Sequence, residues 1–276
     1  GDGVSSLDAI LDRTPGPRRL AIMLLLSCYW LISSDVFIDL WAGARATNAD
    51  LEPCDCVHTG GGDEEISVGE LELSTNTSTW CDACAARGGR IVCSRDVGGV
   101  ARTMAVEFGI YCDSDWILSL SSSASIVGVG LGALFGGPTS DAFGRRFAYI
   151  AFFSAYALVY PLASRAPTFW VYLCTKLLAG VCGSAANTAA FTLASEFIGP
   201  RLRTLLTIEL WAYMFALMEV YVAGVAALLH DAHWRLLVLL LALPAPVLFI
   251  VSALVIPESP QYLQRRGSAA QLKLAL

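Results

Sequence analysis

Charge is scarce in this chain. Asp, Glu, Lys and Arg make up 15% of its 276 residues, against 55% hydrophobic, and a water-soluble domain of that size has too little interior to hide so much apolar surface. Histidine is rarer still. His58, His230 and His233 are the three, and no His-Glu-x-x-His pair, phosphate-cradling Gly-Lys loop or Gly-x-Ser-x-Gly elbow accompanies them. The familiar hydrolase and phosphotransferase signatures are therefore missing, and the chain is read as a non-enzyme with no cofactor and no metal. No basic stripe interleaved with aromatics occurs either, which argues against a nucleic-acid partner.

What remains is a membrane pattern. Six apolar runs, at about 20–42, 116–137, 147–163, 168–191, 205–229 and 234–256, are long enough to cross about 30 Å of hydrocarbon at roughly 1.5 Å per helical residue. The expected fold is an all-α membrane protein of six transmembrane helices in a lipid bilayer. Residues 1–19 precede the first span, 43–115 form a long loop, 116–256 hold spans two to six, and 257–276 follow. The first run resembles a signal peptide in position, but its length and lack of a small-residue cleavage site favour an uncleaved span.

The net charge of -6 is concentrated in one place. Residues 43–115 hold 13 acids and 5 bases, so that segment alone carries -8 and the remainder +2. Arg145, Arg146, Arg201 and Arg203 lie in the short loops that share a side with the N-terminus, while the opposite short loops carry only Arg165 and Arg235. By the positive-inside bias both chain ends are expected to be cytoplasmic. Arg18, Arg19, Arg265 and Arg266 agree.

The long loop is then expected to be extracellular. It holds Cys54, Cys56, Cys81, Cys84, Cys93 and Cys112, an even set that reads as a disulfide framework, although spacing cannot choose among its pairings. A zinc site is the rival reading, since Cys54-x-Cys56 and Cys81-x-x-Cys84 have ligand-like spacing beside His58. Asn76-Thr77-Ser78 is a glycosylation sequon in the same loop. Cys28, Cys174 and Cys182 fall inside spans and read as small buried thiols.

Gly137-x-x-x-Asp141-x-x-Gly144-Arg145-Arg146 joins the second and third runs. It resembles the loop that links those helices throughout the major facilitator superfamily. The cysteine-rich loop followed by Cys112-x-x-x-Trp116, the segments Leu7-Asp8-Ala9-Ile10-Leu11 and Thr192-Leu193-Ala194-Ser195-Glu196-Phe197-Ile198-Gly199, the triplet His233-Trp234-Arg235, and Pro257-Glu258-Ser259-Pro260-Gln261-Tyr262-Leu263 narrow the likeness to the organic cation, anion and zwitterion transporters. That resemblance implies an alternating-access carrier of small organic ions in the plasma membrane, built from two six-helix bundles. The chain corresponds to the N-terminal half, so its partner would be a C-terminal six-helix bundle; a natural six-helix protein is the alternative.

By the same resemblance the motif is a cytoplasmic latch. Asp141 faces the positive end of a helix in the other bundle, Arg145 bridges toward Glu196, and Glu258 with Arg201 and Arg203 completes the ionic cluster. Gly144 permits a tight turn there. A plainer reading is that Arg145 and Arg146 only enforce topology. Three departures stand out: Ala142 replaces a usual basic residue, Lys176 replaces an arginine in the fourth span, and Ser184-Ala185-Ala186-Asn187 replaces the Lys-Gly-Asn-Trp of cation carriers.

Charges within apolar spans are costly and commonly face a cavity or a partner. Helical rise sets Asp35, Lys176 and Glu219 at similar depths in spans one, four and five, which makes them a candidate substrate or ion cluster; a structural salt bridge is the bland alternative. Asn187, Trp211, Tyr213 and Trp30 are candidate cavity residues, with core packing as the equal alternative. Gly128, Gly132 and Gly136 recur at four-residue spacing and invite close helix packing. Two rival functions stand beside the organic-ion carrier: a sugar or polyol carrier of the same superfamily, and a non-transporting membrane glycoprotein displaying its ectodomain.

Overall fold

The computed structural model describes residues 17–27, 54–58, 65–66, 89–93, 104–108, 110, 115–197, 208–229 and 233–259. Its elements, in chain order, are α1 (Pro17–Ser27), β1 (Cys54–His58), β2 (Glu65–Ile66), β3 (Gly89–Cys93), α2 (Met104–Phe108), α3 (Asp115–Phe143), α4 (Arg145–Leu162) with a 3-10 turn (Ala163–Arg165), α5 (Phe169–Glu196), α6 (Leu210–Leu228), α7 (Trp234–Ala242) and α8 (Pro244–Val255). Five helical segments are long and apolar enough to cross a membrane: Trp116–Phe143, Arg145–Arg165, Phe169–Glu196, Leu210–Leu228 and Trp234–Val255. Of the first apolar run, only the stretch to Ser27 lies within the described residues.

Several hydroxyls in the spans find their partner inside their own helix. Ser121 and Thr175 hydroxyls donate to the carbonyls of Leu118 and Tyr172, and Thr188 and Thr192 to those of Ser184 and Thr188. Back-bonding of this kind satisfies a hydroxyl inside its own helix, which suits a solvent that offers no partners. The same logic lets α3 continue through Pro138. Proline removes the ladder donor to the Leu134 carbonyl there, while the next residue, Thr139, back-bonds through Oγ1 to the Phe135 carbonyl at 2.7 Å.

α3 and α5 form the most extensive helix pair among the described residues. Gly128, Gly132 and Gly136 make it so. A Cβ at Gly128 or Gly132 would collide with the backbone oxygens of Leu177 and Val181, and one at Gly136 would sit 2.8 Å from Ala185 Cα. The two backbones thus touch where side chains would otherwise keep them apart.

α4 packs through an aromatic stripe at helical spacing, with Tyr149, Phe153, Tyr156 and Tyr160 all buried. That stripe centres one core, shared with α1, α5 and α8. A second core gathers Met104, Ile110, Phe169, Tyr172, Met218 and Trp234. Outward faces stay apolar: Val220, Leu254 and Leu228 are 70%, 81% and 84% exposed. Such a surface suits hydrocarbon or another apolar face rather than water.

Some boundaries differ from the sequence expectation. The second and third spans reach toward each other until Gly144 alone separates α3 from α4. The sixth span is two helices meeting at Leu243, because Pro244 cannot donate to the ladder. The bundle is helical, but β1, β2 and β3 form an antiparallel sheet in the order β2-β1-β3, so the chain as a whole is not all α. Its register sets Cys54 opposite Cys93 and Cys56 opposite Ile91. Cys174 is exposed on α5 rather than buried, and Cys182 is half-buried.

Candidate functional site

Gly144 sits at φ 108° and ψ 149°, a backbone region essentially restricted to glycine. That single residue reverses the chain and delivers Arg145 and Arg146 to the first turn of α4. A helix start exposes unpaired N–H groups, and Gly144 has no side chain to cap them. Glu258, beyond α8, supplies the missing acceptor. Its Oε1 accepts from the Arg146 N–H at 3.0 Å and from the Ser259 N–H at 3.1 Å. A carboxylate at a helix N-terminus also complements the helix dipole.

Arg145 is the hub. Its Nε donates to Glu196 Oε1 at 3.1 Å, and its Nη1 reaches Asp141 Oδ1 at 2.6 Å and the Ser140 carbonyl at 3.2 Å. Arg145 and Glu196 side chains are each 11% exposed, so the pair holds its charges where unpaired ones would be expensive. The other oxygen of Glu196 accepts a short hydrogen bond from Ser259. Arg146 Nη2 donates to the Ala253 carbonyl at 3.0 Å, and the Tyr149 hydroxyl to Ser252 at 3.2 Å. The ends of α3, α5 and α8 are thereby tied to the beginning of α4.

The other predicted residues are distributed as follows. Gly137 has open space around its missing side chain. Asp141 is 70% exposed apart from its Arg145 contact. Trp211 Nε1 donates to Asn187 at 3.3 Å, and its ring meets Phe191 edge-on at 5.4 Å. Tyr213 is 65% exposed. Lys176 is fully buried on α5 and Glu219 half-buried on α6, and no ion pair joins those two. Asp35, Trp30, Asn76, Cys81, Cys84, Cys112, Arg201 and Arg203 lie outside the described residues. So do the side chains of Cys54, Cys56 and Cys93.

A second polar cluster lies at the opposite end of α4, and sequence reasoning named only part of it. Arg235 holds Glu107 through Nε at 2.9 Å and Nη2 at 2.7 Å. Trp234 Nε1 donates to the same carboxylate at 2.6 Å, and His233 Nε2 lies 3.6 Å from it. Burial alone would raise the Glu107 pKa, but hydrogen bonds from Arg235 and Trp234 and the nearby positive charge hold it below the ordinary value. Glu107 was hidden among the acids of its loop. Its signal was local, since Met104-Ala105-Val106-Glu107-Phe108 is an apolar stretch interrupted by one acid. Ser259 lies inside the Pro257-Glu258-Ser259-Pro260 segment but was given no role there, and Ser252 and Tyr149 gave no signal beyond their proximity to a motif.

Residues 73–275 match the family model described as sugar (and other) transporter. The chain belongs to that family. Among curated members it is 33% identical over 170 residues to solute carrier family 22 member 1 of Bos taurus, covering 61% of this chain and 30% of that one. It is 26% identical over 204 residues to the organic cation transporter protein of Drosophila melanogaster, covering 74% of this chain and 35% of that one. The chain thus spans about a third of the length of these relatives. These matches agree with the transporter-family resemblance drawn from the motifs. The proton:xylose symporter XylE, of the major facilitator superfamily, superposes with a TM-score of 0.60 at 14% identity, over 95% of this chain and 50% of its own. At that identity the match establishes the fold alone. A sugar-transporter-family chain with these helices is a multi-pass membrane protein.

Proposed function

We propose that this chain is the N-terminal bundle of a carrier that moves small organic ions across a membrane by alternating access, without chemistry on the substrate. The observation that carries the reading is the Arg145 hub. It links four helix ends through one buried ion pair, an arrangement that locks one end of a bundle while leaving Asp141 outward for a second bundle. The relative named organic cation transporter protein supports the substrate class. The partial coverage of the curated relatives, about a third of their length, supports a second six-helix bundle as its partner.

In this reading Asp35, Lys176 and Glu219 line the path, with Lys176 neutralising one acid and the other attracting a cation or a proton. Trp211 and Asn187 form a pre-ordered aromatic and amide wall on which an organic ion can stack. The Arg145 end faces the cytoplasm, and the loop from 43 to 115 is extracellular, glycosylated at Asn76 and stapled by its six cysteines. The register of Cys54 opposite Cys93 supports the disulfide framework over zinc.

Counterflow uptake into proteoliposomes holding the full-length protein tests the proposal. Organic cations, organic anions and sugars would be presented in parallel. Substrate-driven counterflow of an organic ion is the expected result. Counterflow of sugars alone would move the chain to a sugar carrier, and none at all, in protein shown to be folded, would leave a glycoprotein scaffold.

A further inference from the structure

The Glu107 cluster is built from pieces that the transport reading does not use. α2 precedes α3 and lies against the far end of the bundle. Met104 is fully buried there and Ile110 nearly so, within the core formed by Phe169, Tyr172, Met218 and Trp234. Phe108 packs on Phe169 at 6.0 Å and on Trp234 at 5.7 Å. The segment entering α3 is therefore part of the bundle interior.

Glu107 joins this plug directly to the start of α7 and, through Arg235, to the end of α4. It accepts from both Arg235 and Trp234 at the start of α7. Arg235 in turn donates through Nη1 to the Ser164 carbonyl at 2.9 Å and through Nη2 to the Ala166 carbonyl at 2.7 Å. Those carbonyls close the C-terminal end of α4, where unpaired acceptors and the negative end of the dipole favour a cation. Arg235 also lies 5.1 Å from the Trp234 ring centroid. A guanidinium placed among aromatic rings and carbonyls needs a counter-charge. Glu107 is the acid that reaches it among the described ion pairs. Arg165, at the end of the same turn, is exposed and makes no described pair with Glu107.

We propose that Glu107 is a positioning residue: it fastens the segment entering α3 across the far end of the bundle, so that this segment moves with α4, α5 and α7 as one body. The loop before α3 is then not hinged at its junction with the membrane domain. A force or a ligand acting on that loop is delivered to the third and sixth spans through one carboxylate and one guanidinium. The effect on uptake rests on the carrier reading; the fastening does not.

The test is amide hydrogen exchange on the full-length protein in lipid nanodiscs, combined with uptake kinetics. Glu107→Gln keeps the shape and removes the charge. Exchange of residues 104–110 is expected to speed up about tenfold or more, with residues 145–149 unchanged, because charge-assisted hydrogen bonds are lost at one end only. Glu107→Asp withdraws the carboxylate by one methylene and gives a milder shift of the same segment. Arg235→Lys retains charge but loses the planar fork, so it too loosens 104–110. In uptake, the maximal rate falls while KM stays within about twofold, as expected for a residue remote from the substrate.

Unchanged protection of 104–110 in Glu107→Gln would overturn the proposal, as would equal loosening at both ends of α4. A raised KM with an unaltered maximal rate would do so too, by placing Glu107 in the substrate path. If the wild-type protein shows no uptake, the carrier reading fails while the exchange result still decides the fastening.

Discussion

The two ends of α4 meet the same problem with opposite chemistry. At its N-terminus Glu258 accepts from the first-turn backbone, and at its C-terminal end Arg235 donates to the last carbonyls. Acid at the start and base at the finish is the arrangement the helix dipole favours. Both residues flank the sixth span: Arg235 opens α7 and Glu258 follows α8. The sixth span therefore straddles the third and clamps it from both ends.

The ends differ in depth. At the Arg145 end the paired side chains are each 11% exposed, whereas Arg235 and Glu107 are 27% and 24% exposed. The first site is a dry junction of four chain segments, and the second a wetter strap over an aromatic plug. A charge lost from a dry site leaves its partner stranded, while water can partly replace it at a wet one. The comparison teaches that burial, rather than the number of contacts, should rank what each cluster contributes.

The largest expected effect comes from Arg145→Ala. It strands Glu196 in a nearly dry junction, and thermal unfolding in mild detergent should show a loss of about 3–5 kcal/mol. A loss under about 1 kcal/mol would mean that solvent reaches this end, and the contrast would collapse. Next comes Gly132→Ala, at about 2–3 kcal/mol, because its methyl group would press against the Val181 backbone rather than a movable side chain. Since the α3–α5 seam runs between the two ends, both should loosen together, which serves as the control for end-specific variants.

Glu107→Gln should cost less, about 1–2 kcal/mol, with hydrogen exchange rising at 104–110 alone. Glu258→Gln should be milder still, about 0.5–1 kcal/mol, because the amide oxygen can still accept from the Arg146 N–H but no longer offers a charge to the dipole. The smallest effect is one of pH. Glu107 is held below the ordinary glutamate value of 4.5, so its stabilisation is complete above that value and is lost as pH falls through the folded-state pKa. Melting curves of wild type and Glu107→Gln should therefore converge in acid and stay parallel from neutral pH upward. Convergence at neutral pH instead would mean that the carboxylate is not held ionised by its neighbours.

Legibility followed the range of each interaction. Five of the six expected spans were readable because a bilayer demands long apolar runs. The glycine stripe was readable because three small residues at four-residue spacing have few other uses. Arg145 and Glu196 could be named from motifs, but their shared link through Ser259 could not, since 63 positions separate Glu196 from its hydroxyl. Glu107 was missed for the same reason. It lies 128 positions from Arg235, and no local pattern tells an acid in a loop which guanidinium it will meet.

By itself, then, the sequence determined the solvent, five of the six expected spans and the family, because these depend on composition, periodicity and short motifs. Only the tertiary structure decided that Glu258 caps a helix more than a hundred residues earlier, that Arg235 closes the other end of that helix, and that Glu107 pairs with that Arg235. Charges select their partners by distance and burial, and those quantities exist only after the helices have packed.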